Sequence, residues 1–463
     1  MFKPHALTLA LVAALSTAGC ATLVPATPAA ETGIPAQWQG IEGRQTGDVS
    51  TLDWRAVLQD ARLERVVEQA LAHNRDLRVA VLNVERARAQ YRISRAERLP
   101  SVGGSLSQTR AGGDVPVTES YSASLGLASF ELDLFGRVRN LSQAAVQQFF
   151  AQQENRRAAQ LSLVAEVSRA WLTLAADQSL HAIAEDTLHA YQETLRLTER
   201  RHELGAVSGL ELAQMRAQVE TARGDVARYA AQVQLDRNAL DLLAGTRLAA
   251  ADLPQGLRDT DIALSPVPAG LASEVLLRRP DIRAAEHSLL AANAHIGAAR
   301  AAFFPSIRLT GSAGTQSGEL SGLFDAGTRF WRFMPQINIP IFQGGALRAN
   351  LKVAEANRDM ALAAYEKAIQ SGFREVADAL VQEQALNERR AAAENLLQVA
   401  RQAEQLSTAR RDAGRDSYLT LLDAQRTRYA AEQAVIAVRL AQQANRITLY
   451  QALGGGVEAD NSP

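Results

Sequence analysis

The stretch Asn74–Ser107, NRDLRVAVLNVERARAQYRISRAERLPSVGGSLS, returns in altered form as Arg279–Ser312, RPDIRAAEHSLLAANAHIGAARAAFFPSIRLTGS. Asp76 aligns with Asp281, Arg78 with Arg283, Pro100 with Pro305 and Ser101 with Ser306, all at one offset of 205 residues. Further along, Phe135-Gly136 answers Phe342-Gln343-Gly344, HELGAVSGLEL from His202 answers RDAGRDSYLTLL from Arg411, and LLAG from Leu242 answers ALGG from Ala452. Self-similarity on this scale means one supersecondary unit used twice. The two copies span 60–245 and 270–455. A linker at 246–269, rich in proline and glycine and without helical period, joins them. Residues 1–19, an extended segment 20–60 and a tail 456–463 complete the chain.

Each copy has the same order of elements. A short helix (about 75–98 in the first copy) ends before Pro100, because proline disfavours helix at the residue before it and breaks the ladder. Two strands follow. In the first copy Val102, Gly104 and Leu106 alternate with small polar residues, and Tyr121, Ala123, Leu125 and Leu127 share a face until a phase slip near Ser129 that reads as a bulge. In the second, Ile307, Leu309, Gly311 and Ala313 alternate with Arg308, Thr310 and Ser312, and Trp331, Phe333, Ile337, Ile339 and Ile341 with Arg332, Gln336 and Asn338. Pro335 and Pro340 mark an imperfect ladder there. Then come two proline-free runs of 67 residues each, Arg137–Glu203 and Ala346–Asp412. As helices they are about 100 Å long. Turns containing Gly205, Gly209 and Gly414 lead to returning helices at about 209–243 and 417–453. The short and returning helices together nearly match one long helix in length. They can therefore lie end to end against it, with the hairpins at one end of a column and the glycine turns at the other.

Composition narrows the function. Lys plus Arg number 49 against 50 Asp plus Glu, so no basic excess favours nucleic acid. Aromatic residues are only 5% while Ala, Leu, Gln, Glu and Arg dominate, as in closely packed long helices. No segment after the N-terminus is apolar enough for a transmembrane helix. No nucleophile elbow, phosphate-binding loop or dinucleotide fingerprint occurs, and none of the seven histidines has helical metal-ligand spacing. The chain reads as a non-enzyme without cofactor or metal.

The single cysteine, Cys20, follows a basic start, an apolar run Ala6–Leu15 and the small residues Ser16, Thr17, Ala18 and Gly19. This is the layout of a secretory signal, 1–19. A cysteine at its end resembles the bacterial lipobox, although Thr17 stands where leucine is usual. The resemblance implies cleavage before Cys20, acylation (palmitate) of its thiol and an outer-membrane address, since residue 21 is Ala rather than Asp.

Four strands per chain cannot close a barrel, and an open sheet in lipid leaves unpaired edges at several kcal/mol per group. Three copies would supply about twelve strands, an allowed number. Here the resemblance becomes specific. LRRPDIRAAEHSLLAANAHIGAARAAFFPSIRLTGSAG (Leu277–Gly314), SFELDLFGRVR (Ser129–Arg139) and YLTLLDAQRTRYAAEQA (Tyr418–Ala434) resemble the TolC-like outer-membrane efflux family, in its lipoprotein branch serving resistance–nodulation–division pumps. The resemblance implies a mainly α, internally duplicated fold. It implies a homotrimer whose β-barrel crosses the outer membrane and continues into a periplasmic α-helical barrel. The partners implied are an inner-membrane resistance–nodulation–division transporter, a periplasmic adaptor (membrane fusion) protein and outer-membrane lipid. The role implied is a passive exit duct for drugs or other small toxic compounds, hence antibiotic resistance.

A gate is expected at the glycine turns, where Arg410, Arg411, Asp416, Leu419, Asp423 and Glu211 gather. In a trimer each inward carboxylate becomes a ring of three, and a closed ring wants both signs of charge. By resemblance Leu419 and Asp423 match the constricting leucine and aspartate, and Arg410 the gate arginine. Arg411 stands where relatives carry tyrosine, and Glu211 replaces an aspartate. Two other readings of the same chain are a trimeric structural stalk or adhesin and an export duct for metal ions. The four scattered methionines offer no soft-metal conduit.

Overall fold

A computed structural model describes residues 23–36, 38, 53–257 and 273–455. The signal segment, Cys20, most of the linker and the tail lie outside them. In chain order the elements are α1 (Trp54–Val57), α2 (Ala61–His73), α3 (Arg75–Ala96), β1 (Val102–Ala111), β2 (Thr118–Leu132), α4 (Arg137–Glu203), α5 (Gly209–Ala244), α6 (Pro280–Ala301), β3 (Ser306–Ser317), β4 (Arg329–Asn338), α7 (Ala346–Asp412) and α8 (Tyr418–Ala452). Short 3-10 turns lie at Ala250–Asp252 and Ser273–Arg278.

The two proline-free runs are unbroken helices over their full 67 residues. The reading of the N-terminal segment as extended needs one correction. Residues 23–36 have no regular structure, but Trp54–Val57 form a helical turn capped by the Asp53 side chain on the Arg55 N–H. The first repeat also opens with a helix not assigned from sequence. In α2, Leu63, Val66, Val67 and Ala70 form a fully buried stripe at helical spacing. Burying each of the larger side chains contributes about 1.5–3 kcal/mol.

The chain forms two compact units, each built from both repeats. One comprises residues up to 31, 82–154 and 283–367, and holds the sheet. All four strands are antiparallel in the order β1-β2-β3-β4, so β1 and β4 are edges. The β2/β3 register shifts by one residue between Leu127 and Phe130, and Ser129 takes φ +45°. This is the bulge the phase slip implied. By adding one residue it returns Phe130 and Leu132 to the face of Leu125 and Leu127. At Gly314 the strands approach so closely that a Cβ would meet the Ala123 carbonyl, so only glycine fits.

The other unit comprises 32–81, 155–282 and 368 onward. Its core gathers α1 and α2 side chains with Leu163, Val167, Trp171 and Leu174 of α4, Leu240 of α5 and Ile447 of α8. Here the duplication shows in hydrogen bonds. Asn74, between α2 and α3, donates from Nδ2 to the Leu243 carbonyl at the end of α5, 2.9 Å. Arg279, its equivalent before α6, donates to the Ala452 carbonyl at the end of α8, 2.8 Å. Each repeat thus ties the start of its short helix to the last turn of its returning helix, satisfying a carbonyl that the helix leaves orphaned. Arg279 also reaches Asp281 at 2.7 Å and Glu375 at 2.9 Å, with only 8% of its side chain exposed. Gly372 of α7 makes room for its guanidinium, since a Cβ there would stand 3.3 Å from Arg279 Nη1.

Candidate functional site

Two regions could carry function: the sheet and the glycine turns. The sheet has two unlike faces. Following the register across the strands, Leu106, Ala123, Thr315 and, at the strand end, Arg329 align, then Gly104, Leu125, Ala313 and Trp331, then Val102, Leu127, Gly311 and Phe333. Phe130, Leu132, Leu309, Ile307 and Ile337 continue this apolar face. Nothing among the described residues covers it: Leu106 is 81% and Trp331 80% exposed. On the opposite face lie Ser105, Ser107, Ser120, Ser122, Ser124, Thr310, Ser312 and Gln336, with Phe330, Arg332 and Met334 of β4 beside them. Hydroxyls pair across the strands there, Ser105 with Ser124 at 3.0 Å and Ser107 with Ser122 at 2.8 Å, while Gln316 Nε2 donates to Ser120 Oγ at 3.1 Å. A monomeric soluble protein does not leave so large an apolar face bare. One apolar and one hydroxyl-lined face is the pattern of a strand set between lipid and water.

The glycine turns belong to the second unit and are duplicates. After α4, the Ala206 N–H donates to the Arg201 carbonyl and the Gly205 N–H to the His202 carbonyl. After α7, Arg415 donates to Arg410 and Gly414 to Arg411. Both are Schellman caps, with Gly205 at φ +72° and Gly414 at φ +69° in the left-handed region that glycine enters without steric cost. Ser208 then caps α5 by accepting from the Glu211 N–H.

The expected gate residues fall into two groups. Arg410 is tied to Asp416 by two bonds, Nε–Oδ2 2.7 Å and Nη2–Oδ1 2.8 Å. This guanidinium holds the Asp416 carboxyl below its ordinary range. Arg411 lies over the Tyr418 ring, 5.2 Å from its centroid. Leu419 and Asp423 instead face away from the chain's own interior. Leu419 is 59% exposed, and the Asp423 carboxylate has no ion pair or hydrogen bond among the described residues. Glu211 is half-buried on the first turn of α5.

The structure adds residues that spacing did not single out. Tyr418 is buried, and its hydroxyl donates to the Met215 sulfur of α5; with Tyr191, Val219 and Leu422 they form a small core behind the turns. Burial pushes the Tyr418 hydroxyl up to about 12, with Tyr191 adding to the shift. Leu210, the counterpart of Leu419 in the first repeat, is equally bare at 69%. The repeat alignment was the signal that could have found it. Farther along the helices, Asp177 of α4 faces Asp236 of α5, whose Oδ2 is buried without a donor of its own. Burial, then the neighbouring Asp236 carboxylate, raises the Asp177 carboxyl to about 7. Of the histidines, His287 bonds Gln147 Oε1 and His202 the Val207 carbonyl, each through Nδ1.

A model of the family described as "Outer membrane efflux protein" matches residues 66–246 and 271–455. The chain is 44% identical over 458 residues to the antibiotic efflux pump outer membrane protein ArpC of Pseudomonas putida, covering 96% of this chain and 94% of that relative. It is also 44% identical, over the same shares, to the toluene efflux pump outer membrane protein TtgC of Pseudomonas putida. Among solved structures, the open state of the Neisseria gonorrhoeae MtrE outer membrane channel superposes with a TM-score of 0.88 at 40% identity, covering 96% of this chain and all of that one.

Proposed function

Because the chain belongs to the outer membrane efflux protein family, we propose that three copies join their sheets into one barrel through the outer membrane, forming the passive exit duct of a tripartite efflux pump. The observation that carries this reading is the two-faced sheet with both edges, β1 and β4, unpaired. Lipid can cover Leu106, Trp331 and Phe333, and water can fill the serine side. Unpaired edges in lipid are costly, and β4 of one copy meeting β1 of the next removes them. A purely structural stalk or adhesin would have no use for a hydroxyl-lined second face.

The helical part extends into the periplasm, where a periplasmic adaptor and an inner-membrane resistance–nodulation–division transporter deliver substrate and energy. The glycine turns, with Leu419 and Asp423 bare and aimed by a rigid cap, serve as the gate. Relatives named for antibiotics and for toluene point to small, largely apolar toxic compounds as cargo.

Anchorage through an acylated Cys20 belongs to the same reading. Residues just after it dock on α6: Arg300 donates to the Leu23 carbonyl at 3.3 Å and Asn293 to the Pro25 carbonyl at 2.8 Å.

Light scattering in mild detergent tests the assembly, with a protein mass three times that of the protomer expected; a stable monomer would contradict the barrel. Deleting the gene in its host should sensitise cells both to a hydrophobic antibiotic and to toluene. Unchanged tolerance to both would contradict the efflux role.

A further inference from the structure

The polar face of the sheet is almost free of charge. On its four strands the described residues place only Glu131, Arg308 and Arg332 there. Glu131 is taken by Arg137 through two bonds of 2.8 Å, and Arg308 stands 3.9 Å from the same carboxylate. Arg332 has no such partner. It is exposed and makes no hydrogen bond or ion pair among the described residues. Its neighbours across the sheet are Ser312, then Gly126, then Gly103. These three have almost no side chain, so the guanidinium stands over a low wall. β4 is an edge, and in the closed barrel the strand beyond it is β1 of the next copy. On this face that strand carries Gly103, Ser105, Ser107 and Thr109, so no register of pairing supplies an acid.

We infer that Arg332, in three copies, forms a cationic ring in the lumen of the barrel and makes that part of the duct select anions over cations. The inference rests on the trimeric barrel proposed above. A twelve-stranded barrel with strands ~4.8 Å apart and tilted ~40° has a radius of roughly 12 Å. An inward arginine then brings its charge to about 6 Å from the axis. That is within the ~8 Å Debye length at 0.15 M salt but twice the ~3 Å at 1 M. Three charges at that distance in water, so screened, raise the local anion concentration about fivefold and lower that of cations by about the same factor. A charged ring in a water-filled lumen with low-dielectric walls is a recognised basis of ion selectivity. Anionic forms of exported compounds would be favoured at this level, and organic cations would have to pass against the field.

The test is the reversal potential of the purified full-length protein in planar bilayers under a potassium chloride gradient near 0.1 M. Arg332→Gln should lower the chloride-to-potassium permeability ratio by at least ~5-fold, Arg332→Glu should lower it further, and Arg332→Lys should leave it as in wild type. The differences should vanish toward 1 M salt. Wild-type reversal potentials in both the Gln and Glu variants, with channels open, would overturn the inference while leaving the duct intact. Absence of channels in the wild type would instead overturn the duct on which it rests.

Discussion

Arg410 and Asp416 close a bidentate ion pair across the Gly414 turn, joining the last turn of α7 to the start of α8 in the same chain. Arg411 does the same by another means, through the ring of Tyr418. Both arginines of the expected gate are therefore engaged within their own protomer. They set the angle at which Leu419 and Asp423 leave the turn. Arg410→Ser should free that angle and let large antibiotics leak into cells that lack the inner-membrane pump, raising susceptibility severalfold. Arg410→Lys should fall between, because a lysine cannot make the forked contact. Trimer yield should not change. Wild-type susceptibility in the Ser variant would show that the pair does not govern closure.

Cys20→Ser should abolish acylation. The measurement is incorporation of labelled palmitate, and incorporation persisting in the variant would place the lipid elsewhere. Assembly should survive, since the barrel itself anchors the protein, and transport should fall by less than the complete loss of lipid.

Removing Arg279 strips a buried cation from Asp281 and Glu375 and leaves the Ala452 carbonyl without its donor. Arg279→Ala should cost about 2–4 kcal/mol, seen as a lower thermal midpoint of the detergent-solubilised protein. The two carboxylates retain access to water, which keeps the cost below that of a fully buried orphan. A midpoint equal to wild type would mean the helix ends hold without this tie.

Asp177 and Asp236 predict a pH dependence. With the Asp177 carboxyl raised to about 7, the folded protein holds more protons than the unfolded chain between about pH 4 and 7. Stability should therefore be greater at pH 5.5 than at pH 7.5, and decline as pH rises through 7. The groups around the pair, Tyr229 and Gln232 of α5, supply no cation, and Gln232 already donates to Asp236 Oδ1 at 2.8 Å. Because Asp177 is only partly buried, the difference is about 1 kcal/mol. Asp236→Asn removes the neighbouring carboxylate charge and should flatten this dependence. An unaltered slope in that variant would assign it to other groups.

Much of this architecture was legible because its signals are local. Absence of proline allowed both long helices, Gly136, Gly205, Gly345 and Gly414 stand at their ends, and the alternation slip at Ser129 marked the bulge. The repeat placed both turns at equivalent positions. What was not legible depends on long-range approach. Asp177 and Asp236 lie on antiparallel helices far apart in sequence, and nothing local says they meet. Tyr418 reads as a first-turn surface residue until Met215 is brought against it. The Arg410–Asp416 pair needed the cap geometry, since only the left-handed Gly414 folds the chain back far enough to close it. Helix α2 was the reverse case: its stripe of Leu63, Val66, Val67 and Ala70 was periodic, but it ends at Asn74, where the clearly aligned stretch of the two repeats begins.

The central claim is that the assembled chain is a duct that its turns hold nearly shut. Single-channel conductance of the purified trimer in planar bilayers tests it most directly, comparing wild type with Asp423→Ala combined with Arg410→Ser. The account predicts small resting conductance in the wild type and a severalfold increase in the double variant. A weaker cation preference should follow, because the carboxylate ring at the turns is gone. Intact trimers of both that conduct no ions would contradict it.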